Sequence, residues 1–172
     1  MVSGMVIHAT QLLLFPALMA FAASTDFLTM TISNRISLAL AGGFCILALC
    51  TGLSLSGFAW HLGAGALVLA VAFGFFACGW IGGGDAKLAA VTALWFGFEY
   101  LPDYLIYASL FGGVLTVLLI QFRHWPLPYQ LARQSWVQRL HEQGADVPYG
   151  VALAAAALVV YPETGWMRLV GA

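Results

Sequence analysis

Apolar residues run along this chain in six stretches, separated by short polar or glycine-rich segments. Most of these stretches are long enough to cross the roughly 30 Å hydrocarbon core of a bilayer as a helix. The pattern predicts an all-α integral membrane protein with six transmembrane helices, at approximately residues 6–24, 36–55, 58–79, 85–98, 104–122 and 148–161. No boundary or repeat interrupts the series, so residues 1–172 are predicted to form a single membrane-embedded domain.

The composition supports a membrane protein and excludes several other classes. Hydrophobic residues make up 62% of the 172 residues, and the mean hydropathy is +0.94. A soluble domain of this size leaves too much surface in water to hide that fraction. The net charge of −1 provides no basic field for nucleic acid.

The cysteines and histidines do not show the spacing that is typical of metal ligands. No two cysteines have Cys-x-x-Cys spacing, and the histidines are scattered over different predicted faces of the membrane. These residues are Cys45, Cys50, Cys78, His8, His61, His124 and His141. The sequence therefore predicts no metal site and implies no cofactor.

The cations indicate an orientation. If the N-terminus is outside, the inner segments hold five cations, and the outer segments hold only Arg168. The inner cations are Arg35, Lys87, Arg123, Arg133 and Arg139. Positive residues favour the cytoplasmic side, so both termini are predicted outside. No Lys or Arg precedes the first apolar run, so that run is interpreted as a membrane helix and not as a cleaved signal peptide.

The polar and aromatic residues between the predicted spans indicate how those segments lie at the membrane surface. Tyr129, Ala132, Trp136 and Leu140 recur at spacings of three and four, which suggests an amphipathic helix lying in the headgroup plane on the cytoplasmic side. A plain connecting loop fits the segment 123–147 equally well. Residues 99–103 are predicted to form an interfacial turn. Trp95 and Trp166 are predicted to be interfacial anchors.

A glycine-rich segment carries the most specific chemistry. Residues 81–88 place Asp85 directly after three glycines and Lys87 two residues later, in a chain with only 8% charged residues. A carboxylate at the edge of a membrane span is costly and marks a candidate functional site. Asp26 is the only other acidic residue before Glu99. In the predicted topology, Asp26 ends helix 1 and Asp85 begins helix 4 at the same cytoplasmic depth.

Two facing aspartates can hydrolyse an amide bond without a metal. Like charges at close range cannot both ionise cheaply, so the pair shares one proton. The ionised member then activates water, and the protonated member hydrogen-bonds the carbonyl under attack. The structural alternatives are an N-cap role for Asp85 and a solvated helix-end acid for Asp26.

Other residues near the motif have two interpretations each. Gly82 and Gly84 are predicted to let another backbone approach closely, the alternative being a generic turn. Lys87 is interpreted as an anchor to lipid phosphate, or as a contact to an acidic group of a substrate. Asn34 and Arg35 are a predicted helix cap and an inner positive charge, with substrate contact as the alternative. Tyr149 is an interfacial aromatic or a hydrogen-bonding group in the catalytic cavity.

These motifs resemble a known family. Gly82-Gly83-Gly84-Asp85 matches the G-x-G-D motif of membrane aspartyl proteases, and its continuation to Leu88 is similar to that of type IV prepilin peptidases. Asp26 followed by Ile32-Ser33-Asn34 resembles their first motif, with Ser33 where a proline is usual. Residues 148–154 are similar to their C-terminal Pro-Tyr-Gly segment. The short six-helix form resembles the TadV/CpaA-like branch, which serves Flp-type pili.

The resemblance implies a bacterial inner-membrane endopeptidase that removes the short leader of prepilins at the cytoplasmic face. Asp26 and Asp85 would be its catalytic pair, and the prepilin helix and membrane lipid its partners. The chain lacks the Cys-x-x-Cys segment of larger members, so N-methylation is not expected. A small proton-coupled transporter or a non-catalytic scaffold subunit remains the alternative; the scaffold would tolerate loss of either aspartate.

Overall fold

The protein is all-helical over the residues that the structure, a computed structural model, describes: the backbone of residues 2–168 and the side chains of residues 7–167. The side chain of Arg168, the predicted outer cation, lies outside the described residues. The helices are α1 (Val2–Thr29), α2 (Asn34–Cys50), α3 (Leu55–Ala77), α4 (Gly83–His124), α5 (Tyr129–Ala132), α6 (Ser135–His141), α7 (Tyr149–Val160), a 3-10 turn (Tyr161–Glu163) and α8 (Gly165–Arg168).

Several of these helices are suited to a bilayer. Within the described residues, Ile7–Thr29, Leu55–Ala77 and Gly83–His124 are long and apolar enough to cross a membrane, while Asn34–Cys50 and Tyr149–Glu163 are shorter apolar helices. Their outward-facing side chains are largely hydrophobic, including Leu49 and Leu55, which are more than four-fifths exposed. Such a surface requires lipid around it, so the chain is a multi-pass membrane protein.

The long helix α4 is broken at Gly97. This residue has φ 63° and ψ −173°, a conformation that essentially only glycine adopts without strain. A straight helix would hold residues 85 and 116 about 46 Å apart at 1.5 Å per residue, yet Asp85 and Thr116 line one cavity. The arms 83–96 and 98–124 therefore lie antiparallel. The predicted turn at 99–103 is wrong, because the chain reverses at Gly97 and the next residues are already helical.

A half-buried histidine and a buried tryptophan satisfy the backbone carbonyls that this break exposes. The last carbonyls of a helix lack intrahelical partners. Here the Nδ1 of His61 pairs with the Leu94 carbonyl at 2.9 Å, and the Trp166 indole N–H donates to the Trp95 carbonyl at 2.7 Å. Trp95 donates in turn to the Leu40 carbonyl at 2.9 Å. The prediction that Trp95 and Trp166 anchor the membrane interface is wrong, since both are buried.

Helix α7 packs against both α1 and α4 and connects them. Its buried face is made mainly of alanines, including Ala152, Ala154, Ala156 and Ala157. Small side chains let helices approach closely in a membrane, where packing replaces the hydrophobic drive. The start of α7 is thereby held beside the end of α1 and the start of α4.

The start of α2 corrects one prediction, and the structure defines the polar segment after α4. The N-cap of α2 is Ser33, whose hydroxyl accepts the Arg35 N–H at 3.3 Å, and not Asn34. The segment after α4, for which the sequence allowed an amphipathic helix or a plain connecting loop, forms the two short helices α5 and α6. Its buried residues, Val137 and Leu140, turn inward because α6 packs on α1 and α4.

Candidate active site

Asp26 lies inside the last turns of α1, since the helix continues beyond the predicted span to Thr29. The side chain is only 4% exposed. The backbone N–H groups of Gly150 and Val151, in the first turn of α7, face its carboxyl group. The start of a helix presents free N–H groups and a partial positive charge, which favour an anion. Oδ2 of Asp26 is nevertheless buried without a hydrogen bond of ordinary geometry.

Asp85 lies in the first turn of α4. Gly82 is the N-cap, with φ −70° and ψ 145°, and its N–H faces the Asp85 carboxyl. A side chain at the third helical position commonly reaches back to the cap in this way. Asp85 therefore has a structural partner, but it is not itself the N-cap. The carboxylates of Asp26 and Asp85 are also close enough to interact electrostatically.

The glycines of the motif lie against other groups. A Cβ at Gly82 would come within 2.9 Å of Oδ2 of Asp85, and one at Gly84 within 3.1 Å of the Cβ of Ile32 and 3.5 Å of its backbone. Ile32 belongs to the loop that follows Asp26 along the chain. The absence of a side chain at Gly84 thus lets the α1–α2 loop contact the start of α4.

One cavity of about 650 Å³ joins the two carboxylates. Its wall consists of the end of α1, the α3–α4 loop, both arms of α4 and the segment that leads into α7. The lining residues are Asp26, Met30, Gly79, Trp80, Ile81, Gly82, Asp85, Thr116, Ala145, Asp146, Val147 and Tyr149. The volume is that of an ordinary ligand site, roughly 300–1,000 Å³.

The remaining candidate residues divide between this cavity and the outer surface. Tyr149 lines the cavity, and its hydroxyl lies against Gly112 so closely that a Cβ there would overlap it. Lys87 lies outside the cavity and donates to the Asn34 side-chain carbonyl at 2.8 Å. Arg35 is exposed beside this pair. Tyr149 is therefore the one of these four that the structure brings to the carboxylates.

Sequence reasoning missed Asp146 and Thr116 in the cavity wall. The only available signal for Asp146 was its position two residues before the Pro-Tyr-Gly segment. Thr116 lies in an unbroken apolar run and gave none. Within residues 7–167, no three His, Cys, Asp or Glu side chains come together as metal ligands would.

Apolar helices around a cavity with two buried or half-buried carboxylates define a multi-pass membrane protein with a paired-aspartate site. A comparison with protein families then identifies the group. The chain belongs to the type IV leader peptidase family, whose model matches residues 13–117, and it is therefore a peptidase of that kind. The matched residues include both aspartates but end before the Tyr149-Gly150 segment. Comparisons with curated proteins and with solved structures found no match.

Proposed function

We propose that this protein is an aspartic-type membrane endopeptidase that removes the leader peptide of a prepilin-like substrate. Asp26 and Asp85 are the catalytic pair, and water is the nucleophile. The observation that carries the proposal is that two carboxylates, 59 positions apart in sequence, line one cavity. They do so in a chain that belongs to a leader peptidase family.

The reaction needs one proton shared between the two aspartates. The ionised carboxylate takes a proton from water while the hydroxyl oxygen attacks the peptide carbonyl, and the protonated carboxyl donates to the carbonyl oxygen. When the tetrahedral intermediate collapses, a proton passes to the leaving nitrogen and the C–N bond breaks. One water is consumed, and the pair returns to its singly protonated state.

Backbone N–H groups at helix starts face both aspartates, which suits this exchange. Those of Gly150 and Val151 face Asp26, and those of Gly82 and Gly150 face Asp85. Helix N-termini stabilise negative charge without having to reorganise. Either carboxylate can therefore hold the charge as the proton moves between them.

We extend the proposal to the placement in the membrane. Six spans with both termini outside would put the site at the cytoplasmic face of a bacterial inner membrane. The exposed Lys87–Asn34 pair and Arg35 would then meet lipid phosphates. The Flp-type substrate and the TadV/CpaA-like branch remain part of this proposal, supported by the motif resemblance and the short polar segment.

The direct test is cleavage of a purified prepilin-like substrate, whose leader ends in glycine, by the protein in lipid nanodiscs. Asp26→Asn and Asp85→Asn should each lower cleavage below about 1% of wild type, since general acid–base groups contribute factors of about 10²–10⁴. Mass spectrometry of the products reports the cut bond.

Asp103→Asn is the matched control. Asp103 is an exposed acid on the second arm of α4 near Gly97, far from the cavity. It should keep wild-type activity, and all variants should keep the wild-type helical signal. Normal cutting by either Asp26→Asn or Asp85→Asn would remove the two-aspartate mechanism.

A further inference from the structure

A groove on the lipid-facing side of the bundle is separate from the cavity that holds the aspartates. It has a volume of about 500 Å³ and lies between α2, α3 and the first arm of α4. Each helix contributes residues at spacings of three and four, which form one helical face over two turns. In α4 these are Lys87, Ala90, Val91 and Leu94. The groove shares no lining residue with the aspartate cavity.

The groove is apolar along its length and polar at one end. Leu38 of α2 and Leu62 of α3 line it and are more than half exposed. Gly65 of α3 is buried and leaves space between the helices. The polar residues Asn34 and Lys87 lie where α2 and α4 begin. The groove therefore suits an amphiphilic ligand, with an apolar body and a polar head.

Lys87 gives the polar end of the groove a positive charge. Its ammonium donates to the side-chain carbonyl of Asn34, a neutral acceptor, at 2.8 Å. A lysine ammonium has three N–H donors, and among the residues that the structure describes no carboxylate forms an ion pair with this one. Arg35, the next residue along α2, is exposed at the same end. The remaining donors suit an anionic oxygen such as that of a phosphate.

The width of the groove favours a hydrocarbon chain over a polypeptide helix. The stretch of α4 from Lys87 to Leu94 rises roughly 10 Å. A volume of about 500 Å³ over that length leaves a cross-section of about 50 Å². An α-helix with its side chains is about 10–12 Å in diameter and needs about 80 Å² or more. An unbranched acyl chain is much thinner and fits.

We propose that this groove binds one anionic glycerophospholipid, with an acyl chain along the apolar walls and the phosphate on Lys87. Both α2 and α3 pack against α4, so the bound lipid connects the two helices across the arm that carries Asp85. The site requires only that the chain lies in a bilayer. It goes beyond the proposed peptidase activity and does not depend on it.

The test measures lipid binding to the full protein, purified in detergent and stripped of native lipid, by native mass spectrometry. The probes are dioleoyl-phosphatidylglycerol and dioleoyl-phosphatidylcholine, which share their acyl chains and differ in net charge. Wild type should bind one phosphatidylglycerol about three- to fivefold more tightly, which is the scale of one partly solvated ion pair. Lys87→Gln should lower that affinity to the value for phosphatidylcholine, whereas Lys87→Arg should keep the preference.

A second variant tests the apolar part of the groove. Ala66→Phe places an aromatic ring at an exposed position of the α3 wall. It should weaken the binding of both lipids at least about fivefold, because several methylenes lose their contacts. Val71→Phe adds the same ring at an exposed position of α3 outside the groove and should bind both lipids as wild type does. Arg133→Gln removes one exposed positive charge between α5 and α6 and should keep the preference.

Three results would overturn the inference. The first is an equal loss of preference in Lys87→Gln and Arg133→Gln, or wild-type binding by Ala66→Phe. The second is displacement of phosphatidylglycerol by an excess of inorganic phosphate, which would show a plain anion site. The third is a raised KM for the prepilin-like substrate in Ala66→Phe with unchanged lipid binding, which would assign the groove to the substrate. Because lipid binding is read without substrate, failure of the proposed function leaves the lipid result intact.

Discussion

Gly150 occupies the most crowded point of the site. A Cβ at this position would lie 2.8 Å from Oδ2 of Asp26, 3.1 Å from its Cγ and 2.5 Å from Cδ1 of Ile32. Real Cβ atoms do not approach neighbours so closely, so one of these groups would have to move. The absence of a side chain lets the first N–H groups of α7 face the Asp26 carboxyl.

Gly150→Ala should therefore damage catalysis more than folding. Displacement of the Asp26 carboxyl by a few tenths of an ångström or more should lower kcat at least about tenfold, since misplaced catalytic groups lose large factors. Overpacking at one site costs about 1–3 kcal/mol of stability. Cleavage rates and thermal unfolding in the same detergent measure the two effects.

Gly113→Ala provides the comparison for Gly150→Ala. Gly113 is also in a membrane helix, but a Cβ there meets nothing within 4 Å. It should leave both rate and stability near wild type. Equal losses of rate in the two alanine variants would contradict a specific role for the space beside Asp26.

The sequence was enough to predict the two aspartates of the candidate site, but it did not predict every residue that lines the cavity. The prediction that Asp26 and Asp85 lie at one depth needed only the order of the spans, and the shared cavity agrees with it. Thr116 and Asp146 reach the cavity through the reversal at Gly97 and the packing of α7. Neither event has a local pattern. The wrong prediction of Asn34 as the N-cap of α2 has another cause. Serine and asparagine both cap helices well, so the sequence could not decide between Asn34 and its neighbour Ser33.

At the scale of elements, the helical first arm of α4 is by itself too short to cross the hydrocarbon core of a bilayer. Residues 83–96 span about 21 Å as helix, against roughly 30 Å of hydrocarbon. If the turn at Gly97 reaches the opposite surface, the start of this arm lies within the membrane. The α3–α4 loop then lines the cavity at depth, which is where irregular backbone is tolerated in lipid. This geometry would place Asp85 just beneath the surface.

The reversal at Gly97 yields a prediction about stability. Gly97→Ala should destabilise the protein by about 1–3 kcal/mol, because alanine is strained at φ 63°. Its Cβ would also lie 3.2 Å from the His61 ring, which binds the Leu94 carbonyl. The expected result is a lower midpoint of thermal unfolding in detergent.

Gly74→Ala tests whether that loss is specific to the reversal. Gly74 lies in α3, and a Cβ there meets nothing within 4 Å. Its midpoint should match wild type or exceed it slightly, since alanine favours a helix over glycine. A wild-type midpoint for Gly97→Ala would show that the hairpin does not depend on this backbone conformation.

The pattern of apolar residues predicted where the helices lie, but not which of their side chains are buried. Trp95 and Trp166 are near predicted helix ends, where aromatic residues commonly meet headgroups. Both are instead buried beside Phe44, with ring centroids 6.1 and 5.7 Å from it. Trp166 binds the Trp95 carbonyl that the break at Gly97 frees, whereas Trp95 binds the Leu40 carbonyl of α2. Sequence patterns do not reveal which backbone groups will accept such bonds.

At the scale of the whole molecule, charge is distributed unequally between the two ends of the bundle. The end that carries the cavity also holds Arg123, Arg139 and Lys87, fixed by hydrogen bonds to carbonyl oxygens. The acids Glu99 and Glu163 lie toward the other end, at the Gly97 reversal and after α7. This asymmetry of cations is what orients membrane proteins during insertion, so it predicts that the cavity faces the cytoplasm.

Single cysteines introduced at the two ends test this orientation. The native Cys45, Cys50 and Cys78 are free and exposed, so they must first be replaced by alanine. The two test positions are exposed. Gln134→Cys lies between α5 and α6, in the segment before α7, and Glu163→Cys lies in the 3-10 turn after α7.

The two cysteines should react differently with a membrane-impermeant maleimide. In intact cells, the reagent should label Glu163→Cys and leave Gln134→Cys unlabelled, and permeabilisation should make both reactive. The reverse pattern would place the carboxylates outside, where a peptidase of cytoplasmic-side leaders could not work. Labelling of both positions in intact cells would contradict a single orientation altogether.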